Sequence, residues 1–422
     1  MNYAVRYRID ARPDNVRPDI SSYQRGLKLQ ERGAFPDAAV QFRRAAKLVP
    51  NNPEYRARLS EVCFHLEQWD ESEAEMRAAI RLVGDEPDLH ACLGRLLVRR
   101  GSLVDAVQSY QRAIALDPRH DSAAGLIEAK GLISQSIHRW HLPMLGDLVR
   151  NDAFQAAIDA AIRPDDVVLD IGTGSGLLAM MAARAGARHV YACEMEPNLA
   201  DLARLVIKAN GFASRITVIP RKSTDIVAGR DIPERATLLV TETFDSLLIG
   251  EGAVESINHA RKHLLAPDAR VIPGAGILRG QIVCAPRVKT LHPLTTLSGF
   301  DLSPFATHAL EKQFYPITPE REDWTPLSPA FDLTRFDFTA PVPTRRDWTV
   351  PVTIEQSGRL QALMLWFDLH LDDATHLSSG PGSRLHHWNP VVFLFDAERT
   401  VTAGECVDLR CRMGDMVFHF VA

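Results

Sequence analysis

Residues 167–186 read VVLDIGTGSGLLAMMAARAG, and the fold turns on them. A short β-branched run ends at Asp170, glycines follow at Gly172, Gly174 and Gly176, and the remainder is helix-forming. That order is strand, tight turn, helix. Glycine lets the turn adopt positive φ and lets a ligand approach the backbone, while the free N–H groups at the helix start suit a polar group. The next apolar run, HVYAC at 189–193, predicts a second strand that ends in Glu194, 18 residues after Gly176. An acidic side chain at that place can hydrogen-bond a ribose diol. The stretch therefore predicts an α/β domain that holds a nucleoside.

A Gly-x-Gly-x-Gly turn alone fits a nicotinamide, a flavin or S-adenosylmethionine. Asp170 separates them. A carboxylate at the strand end opposes a pyrophosphate but suits a ligand that carries an ammonium and no phosphate, which points to S-adenosylmethionine. ITVI at 216–219 predicts a third strand, and Lys222–Asp225 follows where adenine would sit. ATLLVTE at 236–242 predicts a fourth strand ending in Glu242. Glu251 stands nine residues further, across a turn and ahead of the helical stretch GAVESINHARKHLL. Two carboxylates on one loop suit a cationic acceptor and repel phosphate.

Toward the N-terminus the chain repeats with a period of 34. Ala45, Ala79 and Ala113 keep that spacing, as do Phe42, Met76 and Tyr110; Leu29, Cys63 and Leu97; and Gly26, Ser60 and Gly94. Pro50, Gly84 and Pro118 follow in step. Small residues where two helices cross, large ones in the groove between neighbours and a breaker after the second helix resemble tetratricopeptide repeats. Three repeats are expected across 19–120, with a capping helix near 121–135.

Composition bounds the rest. The chain has 422 residues, about three domains' worth. It is 46% hydrophobic and 24% charged, as ordinary globular protein is. The net charge of −5 argues against general phosphate-mediated binding of nucleic acid. Residues 1–135 are nearly neutral, whereas the remainder carries 28 basic against 34 acidic residues, a bias toward a cationic partner. The six cysteines form no Cys-x-x-Cys pair, so no metal site is expected, and they read as thiols in a reducing compartment. No apolar run is long enough to span a membrane, and the N-terminus lacks the apolar core of a secretory signal. The expected location is the cytoplasm, with neither membrane nor direct nucleic-acid contact.

From about Trp140 onward the motifs resemble the protein arginine methyltransferases, and the leading repeats resemble the branch that carries them. Met144-Leu-Gly-Asp147 with Arg150 is similar to the family's opening helix, and Glu242 and Glu251 to its double-glutamate loop. Ser379–Trp388 is similar to the family's Thr-His-Trp loop, with His386 in place of Thr. The resemblance implies that Glu242 and Glu251 grip the acceptor guanidinium and that Arg150 pairs with the cofactor carboxylate. It also puts His141 near the cofactor, Glu194 on the ribose, Ser223 and Thr224 beside adenine, and Met144 and Trp388 around the acceptor. His387 and Asp147 form a pair that either relays a proton or locks two loops together.

The alternating runs LMLWFDLHL, PVVFLFD and CVDLRCRM predict antiparallel strands beyond 270. The expected organisation is an N-terminal segment (1–18), an all-α repeat solenoid with its cap (19–135), a Rossmann-like S-adenosylmethionine domain (136–270) and a C-terminal β-barrel (271–422). Residues 299–315 stand where the family carries a dimerisation arm, so a homodimer is implied. The expected function is transfer of a methyl group from S-adenosylmethionine to a protein arginine, with the repeats recruiting the substrate. Two alternatives are a repeat scaffold with a weak or inactive enzyme domain and a methyltransferase for small molecules or nucleic acid. The intact glycines, Arg150, Glu194 and both glutamates argue against the first, and the paired carboxylates against the second.

Overall fold

The computed structural model describes residues 17–287, 296–304, 314–316, 323–385, 387–414 and 417–422. The chain divides into two compact units, Met1–His138 and Arg139–Ala422.

In the first unit, helices α1 (Pro18–Glu31), α2 (Phe35–Leu48), α3 (Pro53–His65), α4 (Trp69–Val83), α5 (Pro87–Arg100) and α6 (Leu103–Leu116) form three antiparallel pairs, and α7 (Ala123–Ser136) follows. The repeat spacing has a direct cause. A Cβ on Gly26 would lie 2.6 Å from the Phe42 ring, and one on Gly94 would lie 2.8 Å from the Tyr110 ring. Each glycine admits the aromatic ring of its partner helix 16 residues on. The middle repeat solves the same crossing with hydrogen bonds, Ser60 Oγ donating to Ser72 O (2.6 Å) and Ser72 Oγ to Ser60 O (2.8 Å). Asn52 caps α3 by accepting from the backbone N–H groups of Glu54 and Tyr55.

The second unit opens with α8 (His141–Leu145) and α9 (Leu148–Ala161). A five-stranded parallel sheet follows, built from β1 (Val167–Ile171), β2 (His189–Cys193), β3 (Ile216–Ile219), β4 (Ala236–Thr241) and β5 (Leu265–Ile272) in the order β3-β2-β1-β4-β5. Helices α10 (Leu177–Ala185), α11 (Pro197–Ala209) and α12 (Ala253–His263) connect them. Every residue of β1 is buried, as a central parallel strand requires. The strand order reverses between β1 and β4, and that switch point opens a crevice at the carboxyl ends of the strands.

The remaining strands are β6 (Ala275–Cys284), β7 (Thr296–Leu297), β8 (Phe300–Asp301), β9 (Phe314–Pro316), β10 (Thr325–Pro326), β11 (Phe331–Asp337), β12 (Arg346–Thr353), β13 (Gly358–His370), β14 (His376–Ser378), β15 (Val391–Val401), β16 (Cys406–Gly414) and β17 (Val417–Val421). β6, β13 and β15 are the spine of one antiparallel sheet, while β12, β16 and β17 make a second. The described pairings give these separate sheets, and closure into a barrel is not among them. One continuous core runs from Leu169 in the parallel sheet to Phe393 and Phe420 in the antiparallel ones, so the unit is a single packed body. The expected arm at 299–315 falls mostly outside the described residues, as do the segment 1–16 and His386. No described helix is long and apolar enough to cross a membrane.

Candidate active site

The glycine turn follows β1 as the sequence predicts. Gly172, Gly174 and Gly176 all have positive φ (72°, 54° and 83°), and Gly176 starts α10. Their surroundings differ. A Cβ on Gly172 would strike Thr243 Cγ2 at 2.3 Å, one on Gly176 would touch Ile207 at 3.0 Å, and one on Gly174 would meet no protein atom within 4 Å. Gly172 is therefore small to admit the loop after β4, and Gly174 is the glycine that faces open space. Glu194, buried at the end of β2, holds the turn: Gly174 N donates to its Oε2 (3.0 Å) and Glu196 N to its Oε1 (3.0 Å). Asp170 accepts from Thr173 Oγ1 (2.6 Å) through Oδ2, while its buried Oδ1 has no protein partner. Burial pushes the Asp170 carboxyl up to about 6; Thr173 opposes the rise and the nearby Glu194 adds to it.

Across the switch point, β4 ends one residue earlier than expected and releases Glu242 into the loop. Its carboxylate accepts from Arg150 Nη2, and both side chains are withdrawn from solvent. Burial raises the Glu242 pKa, Arg150 lowers it and Glu251 raises it again, with a net value of about 7. Glu251 is exposed and sits in a left-handed conformation (φ 55°) between Gly250 and Gly252. The structure thus brings the two glutamates within electrostatic reach of each other. It also joins Arg150, assigned to the cofactor by the resemblance, directly to Glu242. Arg150 donates further to Asn151 Oδ1 (2.8 Å) and lies over the Phe154 ring, yet its buried Nε has no partner.

Asp147 caps α9, accepting from Arg150 N (3.1 Å) through Oδ1, and its Oδ2 lies 3.0 Å from His387 Nδ1. With the carboxylate as acceptor, Nδ1 carries the imidazole hydrogen, and the buried Nε2 is left as a lone pair without a partner. Burial lowers the His387 pKa, Asp147 opposes it and the Arg150 charge adds to it, so the ring is neutral at pH 7. Trp388 is 5% exposed and belongs to the core; its indole N–H donates to Phe244 O (2.9 Å) and its ring meets Phe367 edge-on. These contacts tie Trp388 to the antiparallel sheet on one side and to the glutamate loop on the other.

Met144 and His141 are buried in α8, the His141 ring stacked on that of Trp140. Ser223 and Thr224 lie in a single turn of 3-10 helix after β3, Ser223 buried and Thr224 partly exposed. Three residues escaped sequence reasoning. Asn151 bridges Arg150 to Leu145 O (2.9 Å), Thr243 fills the notch at Gly172, and Asp245 ties the glutamate loop together. Only Asp245 left a trace in the sequence, as an acidic residue inside a glycine-ended turn. No cluster of three or more metal-binding side chains occurs among the described residues.

The crevice fits S-adenosylmethionine by its donor set: an orphaned carboxylate oxygen for an ammonium, an orphaned guanidinium N–H for a carboxylate, and open space at Gly174.

The chain is similar to known families over three stretches. Residues 29–96 match the tetratricopeptide repeat family, residues 155–249 match the ribosomal protein L11 methyltransferase family, and residues 289–416 match the arginine methyltransferase oligomerization subdomain. An arginine N(omega)-methyltransferase of Streptomyces achromogenes subsp. streptozoticus is 40% identical over 68% of this chain and 79% of its own length. Protein arginine N-methyltransferase 9 of Mus musculus is 31% identical over 81% of this chain, which spans only 45% of that relative. Among solved structures, the Trypanosoma brucei PRMT1 enzyme–prozyme heterotetrameric complex with AdoHcy superposes with a TM-score of 0.58 at 25% identity, over 66% of this chain and 89% of that one.

Proposed function

The chain belongs to the protein arginine methyltransferase family, and we propose that it methylates the guanidinium of arginine within a protein substrate, with S-adenosylmethionine as donor. The observation that carries this reading is Glu242, a carboxylate held near pKa 7 by burial and by a second carboxylate, Glu251. Glu242 is buried on Arg150 and Glu251 stands at the exposed edge within its electrostatic reach, so the negative charge of the pair exceeds what Arg150 alone offsets and favours a second cation there. A guanidinium, always charged and with five donors in a plane, satisfies both at once.

The bound donor supplies an electrophilic methyl on a sulfonium. The residues of the chain do the rest. Asp170 Oδ1 and Glu194 take the ammonium and ribose, Ser223 and Thr224 flank the adenine, and Arg150 turns from Glu242 to the donor's carboxylate. Glu242, released from Arg150, closes with Glu251 on the guanidinium, orients it and concentrates its positive charge on the nitrogens they grip. His387 Nε2, held by Asp147 through the other ring nitrogen, is a neutral acceptor for the proton the product loses. His141 and Met144 support this wall from α8, and Trp388 acts through the loop it braces.

The repeats recruit the protein substrate. A cavity of about 270 Å³ between α3, α4 and α5 is lined by Glu54, Glu61, Phe64, Met76, Cys92 and Arg95, a mixed surface suited to a peptide. Tethering there raises the local concentration of acceptor arginines to the ~mM range. A homodimer is supported by the match to an oligomerization subdomain. Cytoplasmic location rests on the sequence, whose six cysteines are scattered at low density with no Cys-x-x-Cys pair.

The test is methyl transfer from labelled S-adenosylmethionine to an arginine peptide, to its lysine twin and to free arginine. Labelling of the arginine peptide above both others is expected. Equal labelling of the lysine peptide, or preference for free arginine, rejects the reading.

A further inference from the structure

The loop that carries the two glutamates contains two non-glycine residues in the left-handed region, Leu248 (φ 69°) and Glu251 (φ 55°). Side chains other than glycine adopt that conformation only at an energetic cost, so surrounding contacts must impose it. Leu248 is fully buried. Further contacts come from Asp245. Asp245 Oδ1 accepts from Leu247 N (3.1 Å) and Gly250 N (2.9 Å), and its carbonyl accepts from Leu248 N (3.1 Å). The carboxyl group is wedged against Gly250: a Cβ there would lie 2.4 Å from Asp245 Cγ and 2.5 Å from Oδ2. Gly250 does not have positive φ, so its small size is required by the neighbouring carboxyl and not by its backbone.

We propose that Asp245 is a positioning residue for the transfer reaction: its carboxyl folds the loop so that Glu251 is presented beside Glu242. This deepens the reading of the site as a guanidinium clamp and rests on it. Glu251 directly follows Gly250, so the N–H that Asp245 fixes belongs to the residue that launches it. Burial raises the Asp245 pKa while the backbone N–H groups lower it, with a net rise. An amide oxygen in the same place accepts the same two bonds.

The full chain is assayed with S-adenosylmethionine and an arginine peptide. Asp245→Ala is expected to lower kcat by ~10²-fold, the scale of a misplaced catalytic group, with S-adenosylmethionine affinity by calorimetry unchanged. Asp245→Asn retains most of the turnover. Gly250→Ala loses turnover as Asp245→Ala does, because its methyl displaces the carboxyl. On an Asp245→Gly background, with that side chain gone, Gly250→Ala has no further effect. This last comparison stands even where Asp245→Ala fails to fold. Wild-type turnover in Asp245→Ala overturns the proposal, and so does a Gly250→Ala loss that is equally large on the Asp245→Gly background. A wild-type enzyme inactive on the arginine peptide instead rejects the reading of the site itself.

Discussion

Asp166 and Asp170 stand four residues apart at opposite ends of β1, and the protein treats them in opposite ways. Asp166, 4% exposed, is fully satisfied: it accepts from Arg163 N (2.6 Å), from Thr237 Oγ1 (2.7 Å) and from the Arg270 guanidinium. Burial alone would raise its pKa, but those donors more than offset it and hold the carboxyl below its usual range. Asp170, 1% exposed, has one side-chain donor, an orphaned oxygen and a pKa pushed up to about 6. The amino end of the sheet is finished by the chain's own groups. At the carboxyl end Asp170 Oδ1, Arg150 Nε and His387 Nε2 are buried and unpartnered. Since an unsatisfied buried polar atom costs about 1–3 kcal/mol, several at one place mark groups that a ligand completes.

The largest effect expected from this contrast is on rate. Glu242→Gln and Glu251→Gln should each lower turnover by ~10²–10³, the cost of losing one electrostatic contact to the reacting group, while S-adenosylmethionine still binds. Asp166→Asn, at the finished end, should leave turnover unchanged. Steady-state kinetics beside calorimetry reads both, and wild-type turnover in either glutamate variant breaks the assignment.

Next in size is stability. Asp166→Ala strands the partly buried Arg270 and Thr237, and a loss of about 3 kcal/mol is expected. Urea unfolding should show it with kcat and donor affinity unaltered in the folded fraction. A kinetic defect without a stability defect would show that the two ends are not separated as described.

Third is donor affinity. Glu194→Ala removes the acceptor for Gly174 N and Glu196 N as well as the expected ribose contact, and should weaken S-adenosylmethionine binding by ~10-fold or more. Gly174→Val should weaken it by filling open space, whereas Gly172→Val should disturb turnover as well, because it pushes Thr243 and the glutamate loop. Identical profiles for the two glycine variants would contradict the geometry.

The two ends also differ in how far the sequence reveals them. The glycine turn, Glu194 and β3 follow from local requirements: a turn needs glycine, a strand needs a β-branched run, and ITVI at 216–219 coincides with β3. The repeats are legible because Gly26 and Gly94 must admit Phe42 and Tyr110 at a constant spacing. What stays hidden depends on partners far apart in the chain. The Arg150–Glu242 pair spans 92 residues and the His387–Asp147 pair 240. The second was expected only from the family motifs, and the first was not expected at all. The Trp388 anchor is hidden for the same reason, since an indole next to a motif gives no sign that its N–H belongs to Phe244 O, 144 residues away. The separate antiparallel sheets likewise depend on registers that alternation alone does not set.

The smallest expected effect distinguishes the two aspartates by the sign of their pH dependence. A carboxyl raised in the fold keeps its proton at pH values where the unfolded chain has lost it, so the native state binds more protons and stability falls as pH rises. With a folded pKa of about 6 against an ordinary 3.8, Asp170 should cost about 1 kcal/mol between pH 5 and pH 7. Asp166 has the opposite sign: its contribution is present above its ordinary pKa and is lost only as pH falls through its lower folded value, outside that window. Glu242, raised to about 7, adds a slope of its own, so the informative quantity is the difference between wild type and Asp170→Asn. Melting temperatures at pH 5, 6 and 7 should converge at the acid end and separate toward neutrality, with the variant the more stable. An ammonium at Asp170 Oδ1 favours the carboxylate, so saturating S-adenosylmethionine should shrink this separation and, by linkage, bind more tightly as pH rises. Parallel melting curves for the two proteins, or a separation indifferent to the donor, would mean that the orphaned oxygen is not where the donor's amino group sits.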